Sequence, residues 1–239
     1  MKLLAIETSA ACSSVAVMEE GKLLSRSATH VALTHSQTLL PLVQSALANA
    51  AIAIDEIDAM AVAAGPGSFT GVRIGVAALK GLAFPREVPC AGVSTLASMA
   101  RRWEGIPFCG IICAAMDARC GQIYTARFAC DNGVITRLTP DEALTIESVG
   151  TALSDVSEPV ILVGDGAQLC YKAWHERLPN VRLAPEQMRY QDAVGVAMEA
   201  EVAFREGNVV APEQLQPAYL RLPQAERELR AREAAKQKT

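Results

Sequence analysis

The strongest constraint on the fold of this chain is a pattern of strand, acid and hairpin that occurs twice. In the first copy KLLAIET carries the acid Glu7 near its end, the loop SAACSS follows, and VAVMEE, a glycine turn and KLLSRS predict a hairpin. In the second copy FCGIICAAMD ends in Asp117, and IYTARFAC, the turn at 131–133 and VITRL predict the matching hairpin. A helical segment and an apolar strand running into glycines follow each hairpin, AMAVAAGPG and VILVGDGA. The repeat predicts internal duplication, with two α/β lobes that face each other across a cleft.

Two lobes with acid-tipped hairpins are the plan of the duplicated actin-like ATPase fold of sugar kinases, Hsp70 and actin, in which the acids face nucleotide phosphates and metal. A strand that ends in an acid is also common in other α/β proteins, so this pattern alone leaves both interpretations open. At 239 residues the chain is long enough for two lobes. We divide it into an N-terminal lobe (1–105), a C-terminal lobe (106–222) and a charged, flexible tail (223–239).

Charge and cysteine usage exclude several classes of protein. The net charge is −4, which gives no basic surface for binding RNA without a partner. The N-terminus does not resemble a signal peptide, and the longest apolar run, residues 106–116, is too short to span a membrane. The seven cysteines include no CxxC pair, which argues against a disulfide framework or a structural zinc site. We therefore expect a cytoplasmic protein with no membrane contact.

Glycines are concentrated in AAGPGSFTGVRIGV, residues 63–76. Their spacing is one residue too long for the dinucleotide fingerprint, and the Gly-Lys-Ser/Thr of a P-loop is missing. Instead, Ser68 or Thr70 is expected to cap a helix that begins near Gly71. Gly71 and Gly75 share one face of this helix, and each glycine costs about 1 kcal/mol relative to alanine. Either a partner approaches this face, or the helix packs closely on its own sheet.

A second helix is predicted in THSQTLLPLVQSALANA, which opens with a T-x-x-Q capping box. Leu40 and Leu42 lie off its main apolar stripe, so the helix has apolar residues on more than one side. We predict that the two helices form a surface for a partner protein, although burial in the core remains the alternative. The predicted interface residues are Leu39, Val43, Leu47, Gly67, Gly71, Val72, Gly75 and Leu79.

GPGSFTGVRIG, with LLAIETS before it and PCAGVSTL and PAYLR after it, resembles the TsaB (YeaZ-type) family, and the resemblance covers residues 1 to about 222. It implies an actin-like fold and a dimeric complex with the catalytic paralogue TsaD in tRNA threonylcarbamoyladenosine (t6A) biosynthesis. The product is modified adenosine 37 in tRNAs that read ANN codons. The resemblance also implies the ATPase TsaE and an enzyme supplying threonylcarbamoyl-adenylate. ATP is then used by the complex, the chain holds no cofactor, and a homodimer in the absence of TsaD is left open.

The resemblance bears on catalysis because the paralogue holds its metal with two histidines four residues apart. Thr95 and Met99 stand at the matching positions, and neither side chain can replace imidazole. The three histidines of the chain form no pair at this spacing, so we expect no metal site and interpret two of them as exposed polar residues. They are His30 and His35, with His175 the third.

An acid near the end of the paralogue matches Asp192, which we interpret as a helix cap. The candidates for residual nucleotide contact are Glu7, Ser9, Ser13, Asp117, Gly164 and Gly166. We predict a non-catalytic scaffold that activates TsaD and meets tRNA only through the complex. The alternative is an enzyme in its own right, either an ATP-dependent phosphotransferase or a metal-dependent threonylcarbamoyl transferase or glycoprotease-like hydrolase. Basic residues of the tail are candidates for tRNA contact within the complex: Arg227, Arg230, Arg232, Lys236 and Lys238.

Overall fold

The N-terminal lobe is built on a five-stranded mixed sheet. The computed structural model describes residues 1–30 and 34–221. The strands are β1 (Lys2–Glu7), β2 (Ser13–Glu19), β3 (Lys22–Thr29), β4 (Ala59–Gly65) and β5 (Cys90–Ser94). Their order is β3-β2-β1-β4-β5, with β1 antiparallel to β2 and parallel to β4. The hairpin of β1 and β2 therefore lies beside the parallel half of the sheet.

The C-terminal lobe repeats this arrangement. Its strands are β6 (Cys109–Asp117), β7 (Gln122–Asp131), β8 (Val134–Arg137), β9 (Glu142–Thr145), β10 (Val160–Val163) and β11 (Val181–Leu183). The order is β11-β10-β6-β7-β8, and β9 also pairs with β7. Strand β6 is antiparallel to β7 and parallel to β10, as β1 is to β2 and β4. The predicted duplication is confirmed.

Helices cover both faces of each sheet. They are α1 (His35–Ala50), α2 (Phe69–Ala83), α3 (Thr95–Arg101), α4 (Ile146–Ala152), α5 (Ala167–Trp174), α6 (Glu186–Arg189) and α7 (Ala193–Arg205). In the N-terminal lobe α1 and α2 pack on one face and α7 on the other. In the C-terminal lobe α4 and α5 pack on one face and α3 on the other. Burial on both faces explains why the central strands are almost continuously apolar.

Side-chain caps fix where the helices of the site begin. Ser68 Oγ accepts a hydrogen bond from the Gly71 N–H group at 3.3 Å, and α2 begins at Phe69, two residues before the predicted start. Asp192 Oδ1 accepts from the Val194 N–H group at 2.9 Å, which confirms its interpretation as a helix cap. Free N–H groups of a first helical turn favour such acceptors.

Two helices cross the lobe boundary that the sequence suggested. Helix α7 was assigned to lobe 106–222, but its small apolar side chains pack on β1, β2, β4 and β5 of the other lobe. Helix α3, assigned to lobe 1–105, packs with β6 and β7. The division was wrong for these helices because chain position does not reveal which sheet face still needs a cover. The two helices also contact each other and so join the lobes.

No helix in the described part of the chain is long and apolar enough to span a membrane. The charged tail and its proposed tRNA contacts, residues 223–239, lie outside the described residues.

Candidate functional site

A cavity of about 590 Å³ opens between the two lobes. The N-terminal lobe contributes Ser9 from the loop after β1, and Ser68 and Thr70 from the start of α2. Across the cavity lie Asp117, Arg119 and Asp165, and the last described residues contribute Tyr219 and Arg221. Hydroxyl, carboxylate and guanidinium groups thus line one cavity, and they can hydrogen-bond a polar ligand.

Glu7, at the end of β1, is fully buried beneath this cavity. Its Oε1 accepts a hydrogen bond from the Ser9 N–H group at 2.5 Å, and its Oε2 has no hydrogen-bond partner among the described residues. Burial raises the pKa of Glu7 from 4.5 to about 7. Hydrogen bonding from the Ser9 N–H group opposes this rise, and the nearby carboxylates of Asp192 and Asp165 add to it. Glu7 is therefore a carboxyl group that titrates near neutral pH.

Asp117, at the end of β6, lies in a more open position. Its side chain is 24% exposed and lies 3.2 Å from Arg119 Nη1. Its Oδ1 also accepts from the Arg119 N–H group at 2.8 Å. The two strand-end acids therefore differ in their surroundings, because Glu7 is fully buried and Asp117 is partly exposed beside an arginine.

Of the six residues predicted for residual nucleotide contact, only Ser9 and Asp117 line the cavity. Ser13 is buried, and its hydroxyl lies 2.5 Å from His35 Nδ1. The N–H groups of Gly164 and Gly166 already donate to the carbonyl oxygens of Arg189 and Ala115. The N–H groups of Gly164 and Gly166 are therefore used within the fold and are not free to bind the phosphates of a nucleotide.

The glycines of α2 pack against the protein's own first strand. A Cβ atom at Gly71 would overlap the carbonyl oxygen of Thr8, and one at Gly75 would overlap Thr8 Oγ1. At Gly67 it would lie 2.6 Å from the carbonyl oxygen of Ser9. The glycines thus let α2 lie directly on the end of β1 and the loop that follows. Of the two explanations left open for them, internal packing is the correct one.

This packing corrects the predicted interface. Six of the eight residues proposed for it are buried inside the N-terminal lobe and are wrong as partner contacts: Leu39, Val43, Gly71, Val72, Gly75 and Leu79. Leu47 and Gly67 are partly exposed. The stripe at helical spacing faces the sheet, and Leu40, off that stripe, is 51% exposed. A partner that bound these two helices would therefore contact their outer faces.

Most of the residues that were considered as metal ligands pack or form hydrogen bonds within the fold. Thr95 and Met99 are both buried, and Met99 lies in the core between α3 and the C-terminal sheet. His30 is exposed as predicted, but the prediction was wrong for His35, which is partly buried. His35 Nε2 lies 2.8 Å from the carbonyl oxygen of Ala10, and its Nδ1 faces the hydroxyl of Ser13. It ties the loop after β1 to the first turn of α1.

The C-terminal strap, residues 216–221, was not predicted as part of the site. Its Ala218 N–H group donates to the Ala64 carbonyl oxygen at 2.7 Å. The Tyr219 ring stacks on Phe69 with centroids 4.8 Å apart, and its hydroxyl accepts from Arg73 Nε at 2.7 Å. One feature of the sequence could have indicated this contact. Phe69 and Arg73 are spaced i, i+4 on α2, which places an aromatic ring and a cation side by side, where a second aromatic ring can pack.

Two sheets of identical strand order, each covered by helices, with a cleft between the lobes, define the class of protein as a two-lobed actin-like fold. A solved structure of the activator of 2-hydroxyisocaproyl-CoA dehydratase from Clostridium difficile, with bound ADPNP, shares this fold at a TM-score of 0.50. Its sequence identity is 11%, and the match covers 91% of this chain and 99% of that one.

The family follows from closer matches. A family profile described as TsaD: tRNA N6-adenosine threonylcarbamoyltransferase matches residues 29–229. The tRNA threonylcarbamoyladenosine biosynthesis proteins TsaB of Bacillus subtilis and Escherichia coli are 30% and 34% identical, over 95% and 92% of this chain and 96% and 95% of their own lengths. A Pseudomonas aeruginosa structure described as similar to peptidase YeaZ matches with a TM-score of 0.78 and 32% identity, covering 92% of this chain and 99% of that one. The chain belongs to this family, as one of its TsaB (YeaZ-type) members.

Proposed function

We propose that the chain is a non-catalytic subunit that pairs with the catalytic paralogue TsaD and makes it competent to threonylcarbamoylate adenosine 37 of tRNAs reading ANN codons. The ATPase TsaE acts in the same complex, where ATP is used, and a further enzyme supplies threonylcarbamoyl-adenylate. tRNA meets the chain only through that complex.

The observation that carries the proposal is the outer surface of α1. This 16-residue helix contains no Asp, Glu, Lys or Arg, although one side of it faces outwards. Surface helices of globular proteins usually carry charges on that side, whereas the centres of protein interfaces are depleted of them. Leu40 projects from this surface, where burial by a partner would remove its apolar area from water.

Helix α2 extends the same surface. It packs beside α1 on one face of the N-terminal sheet, and its residues Ala77 and Gly81 are exposed. Small residues on an outer helix face allow another helix to come close. The outer faces of α1 and α2 together, which we call the helical face, form the proposed contact with TsaD.

The absence of catalysis by this chain alone is supported by Thr95 and Met99. The resemblance places them where the paralogue has its metal-binding histidines, and both side chains are buried in the core. A threonine hydroxyl and a thioether do not form the imidazole pair that the paralogue's chemistry uses. The lack of an imidazole pair at positions 95 and 99 supports the interpretation of the chain as a non-catalytic scaffold.

The test is Leu40→Arg, with Leu169→Arg on α5 as the matched control because Leu169 is 43% exposed in the other lobe. An arginine on the helical face would be buried without a partner charge in the complex, so we expect association with TsaD to weaken at least tenfold. Size-exclusion chromatography measures association, t6A formation on tRNA measures activity, and circular dichroism checks folding. The control should behave like the wild type.

Two results would contradict the proposal. If folded Leu40→Arg associates and activates as well as the wild type, the helical face is not the contact. If the isolated chain turns over ATP steadily or modifies tRNA alone, the chain is an enzyme in its own right.

A further inference from the structure

We propose that the C-terminal strap fixes the angle between the two lobes, in addition to the packing of α3 on α7. This inference rests on the contacts of the strap and does not depend on the proposed partner. The strap follows Leu215, which is buried in the core of the N-terminal lobe.

The first end of the strap is anchored on the N-terminal lobe. The Ala218 N–H group bonds to β4, and Tyr219 stacks on Phe69 of α2. The Arg73 guanidinium lies 3.8 Å from the centre of the Phe69 ring while it donates to the Tyr219 hydroxyl. An arginine over an aromatic face is attracted by the ring's negative electrostatic potential. These contacts hold Tyr219 at one position on α2.

Gly65 makes the approach of the strap to β4 feasible. Its φ is +127°, a conformation that side chains rarely adopt, and a Cβ atom there would overlap the carbonyl oxygen of Ala218. The strand end and the strap are therefore closer than any other residue would permit. The close contact between the strap and β4 therefore requires a glycine at position 65.

The other end of the strap reaches the C-terminal lobe. Arg221 Nη1 donates to the carbonyl oxygen of Ala118, the residue after Asp117. Residues 218–221 of the strap and residues 116–119 line the same cavity. Between the lobes the strap thus spans the cavity, whereas α3 and α7 join them through helix packing, where Gly195 allows α7 to approach the backbone of Ser98.

Because the strap connects the lobes only while both of its anchors hold, loss of either anchor should remove the strap's constraint on the angle between the lobes. The test uses spin labels on Gln44→Cys and Lys172→Cys, exposed positions on α1 and α5, with Cys12, Cys109 and Cys120 replaced by serine. We expect Arg221→Ala and Tyr219→Ala each to shift or broaden the distance distribution by more than about 2 Å, the scale of domain rearrangements. The double variant should show no further change, since coupled sites are not additive.

The control is Arg182→Ala, which removes an exposed arginine of β11 and should leave the distribution unchanged. Distributions like the wild type in both single variants would overturn the proposal. An equal change in the control would also overturn it, because the effect would then not belong to the strap.

Discussion

The two lobes repeat one strand order, but the acids at the ends of β1 and β6 lie in different surroundings. Glu7 is 0% exposed, whereas Asp117 is 24% exposed and paired with Arg119. The difference comes from the helix that follows in each lobe. Helix α2 lies on the end of β1 through Gly71 and Gly75, so the first acid is covered.

In the C-terminal lobe the close approach is confined to the turn before α5. Gly164 and Gly166 lie against residues 115–117, but the loop after Asp117 remains open, with Arg119 and Cys120 exposed. A duplicated sequence motif therefore gives one fully buried acid and one partly exposed acid that pairs with an arginine. The two lobes therefore show that the packing of the following helix, and not the sequence motif, determines how far the acid is buried.

The largest effect is expected where α2 covers β1. Gly71→Ala would force a Cβ atom into the Thr8 carbonyl oxygen, so we expect a loss of about 3 kcal/mol or more in the free energy of unfolding. Gly75→Arg should fail to fold for the same reason. Urea denaturation followed by circular dichroism measures the loss.

The matched control is Gly81→Ala in the same helix, where a Cβ atom would meet nothing within 4 Å. It should stabilise the protein by about 0.5–1 kcal/mol, since alanine is the better helix former. Equal effects of the two substitutions would mean that α2 does not press on β1.

The next effect concerns the buried acid. The pKa of Glu7 is raised in the folded protein, so folding favours the protonated carboxyl group. The stability that this provides is fully present below pH 4.5 and is lost as the pH rises through about 7. The loss amounts to about 3 kcal/mol at alkaline pH, because the charged form is buried without a cation. We expect Glu7→Gln to be more stable than the wild type at pH 8 and to lose this pH dependence. Denaturant titrations at pH 5 and pH 8 compare the two proteins, and parallel pH profiles would argue against a buried titrating carboxyl group.

The smallest effect is expected at the open acid. Asp117→Ala removes an ion pair with a largely exposed arginine, which should change stability by less than about 1 kcal/mol. In the reconstituted complex, t6A formation should stay within a few-fold of the wild type for both Asp117→Ala and Glu7→Gln if the acids are relics. A complete loss in a folded, TsaD-bound variant would show that the strand-end acids still act.

The sequence could predict much of the fold because the signals were local. Strand periodicity and turn residues revealed both hairpins, and the hydroxyl of Ser68 and the carboxylate of Asp192 marked helix starts. The repeat of these local signals was enough to infer two lobes of one design. The helical spacing of the apolar residues likewise predicted one apolar face of α1, on which Leu39 and Val43 lie.

Only the tertiary structure shows which element packs on each face that is lined by apolar or small residues. The sequence marked Gly71 and Gly75 as positions of close approach, but a partner helix and the chain's own β1 require the same small residues. Nor could it assign α7 to the first sheet or bring Tyr219 to Phe69, since these contacts join residues far apart in the chain. Periodicity reports which side chains avoid water, because that depends on neighbours within a turn or two. The identity of the covering surface depends on how distant segments fill the remaining space, and this also sets the charge of Glu7.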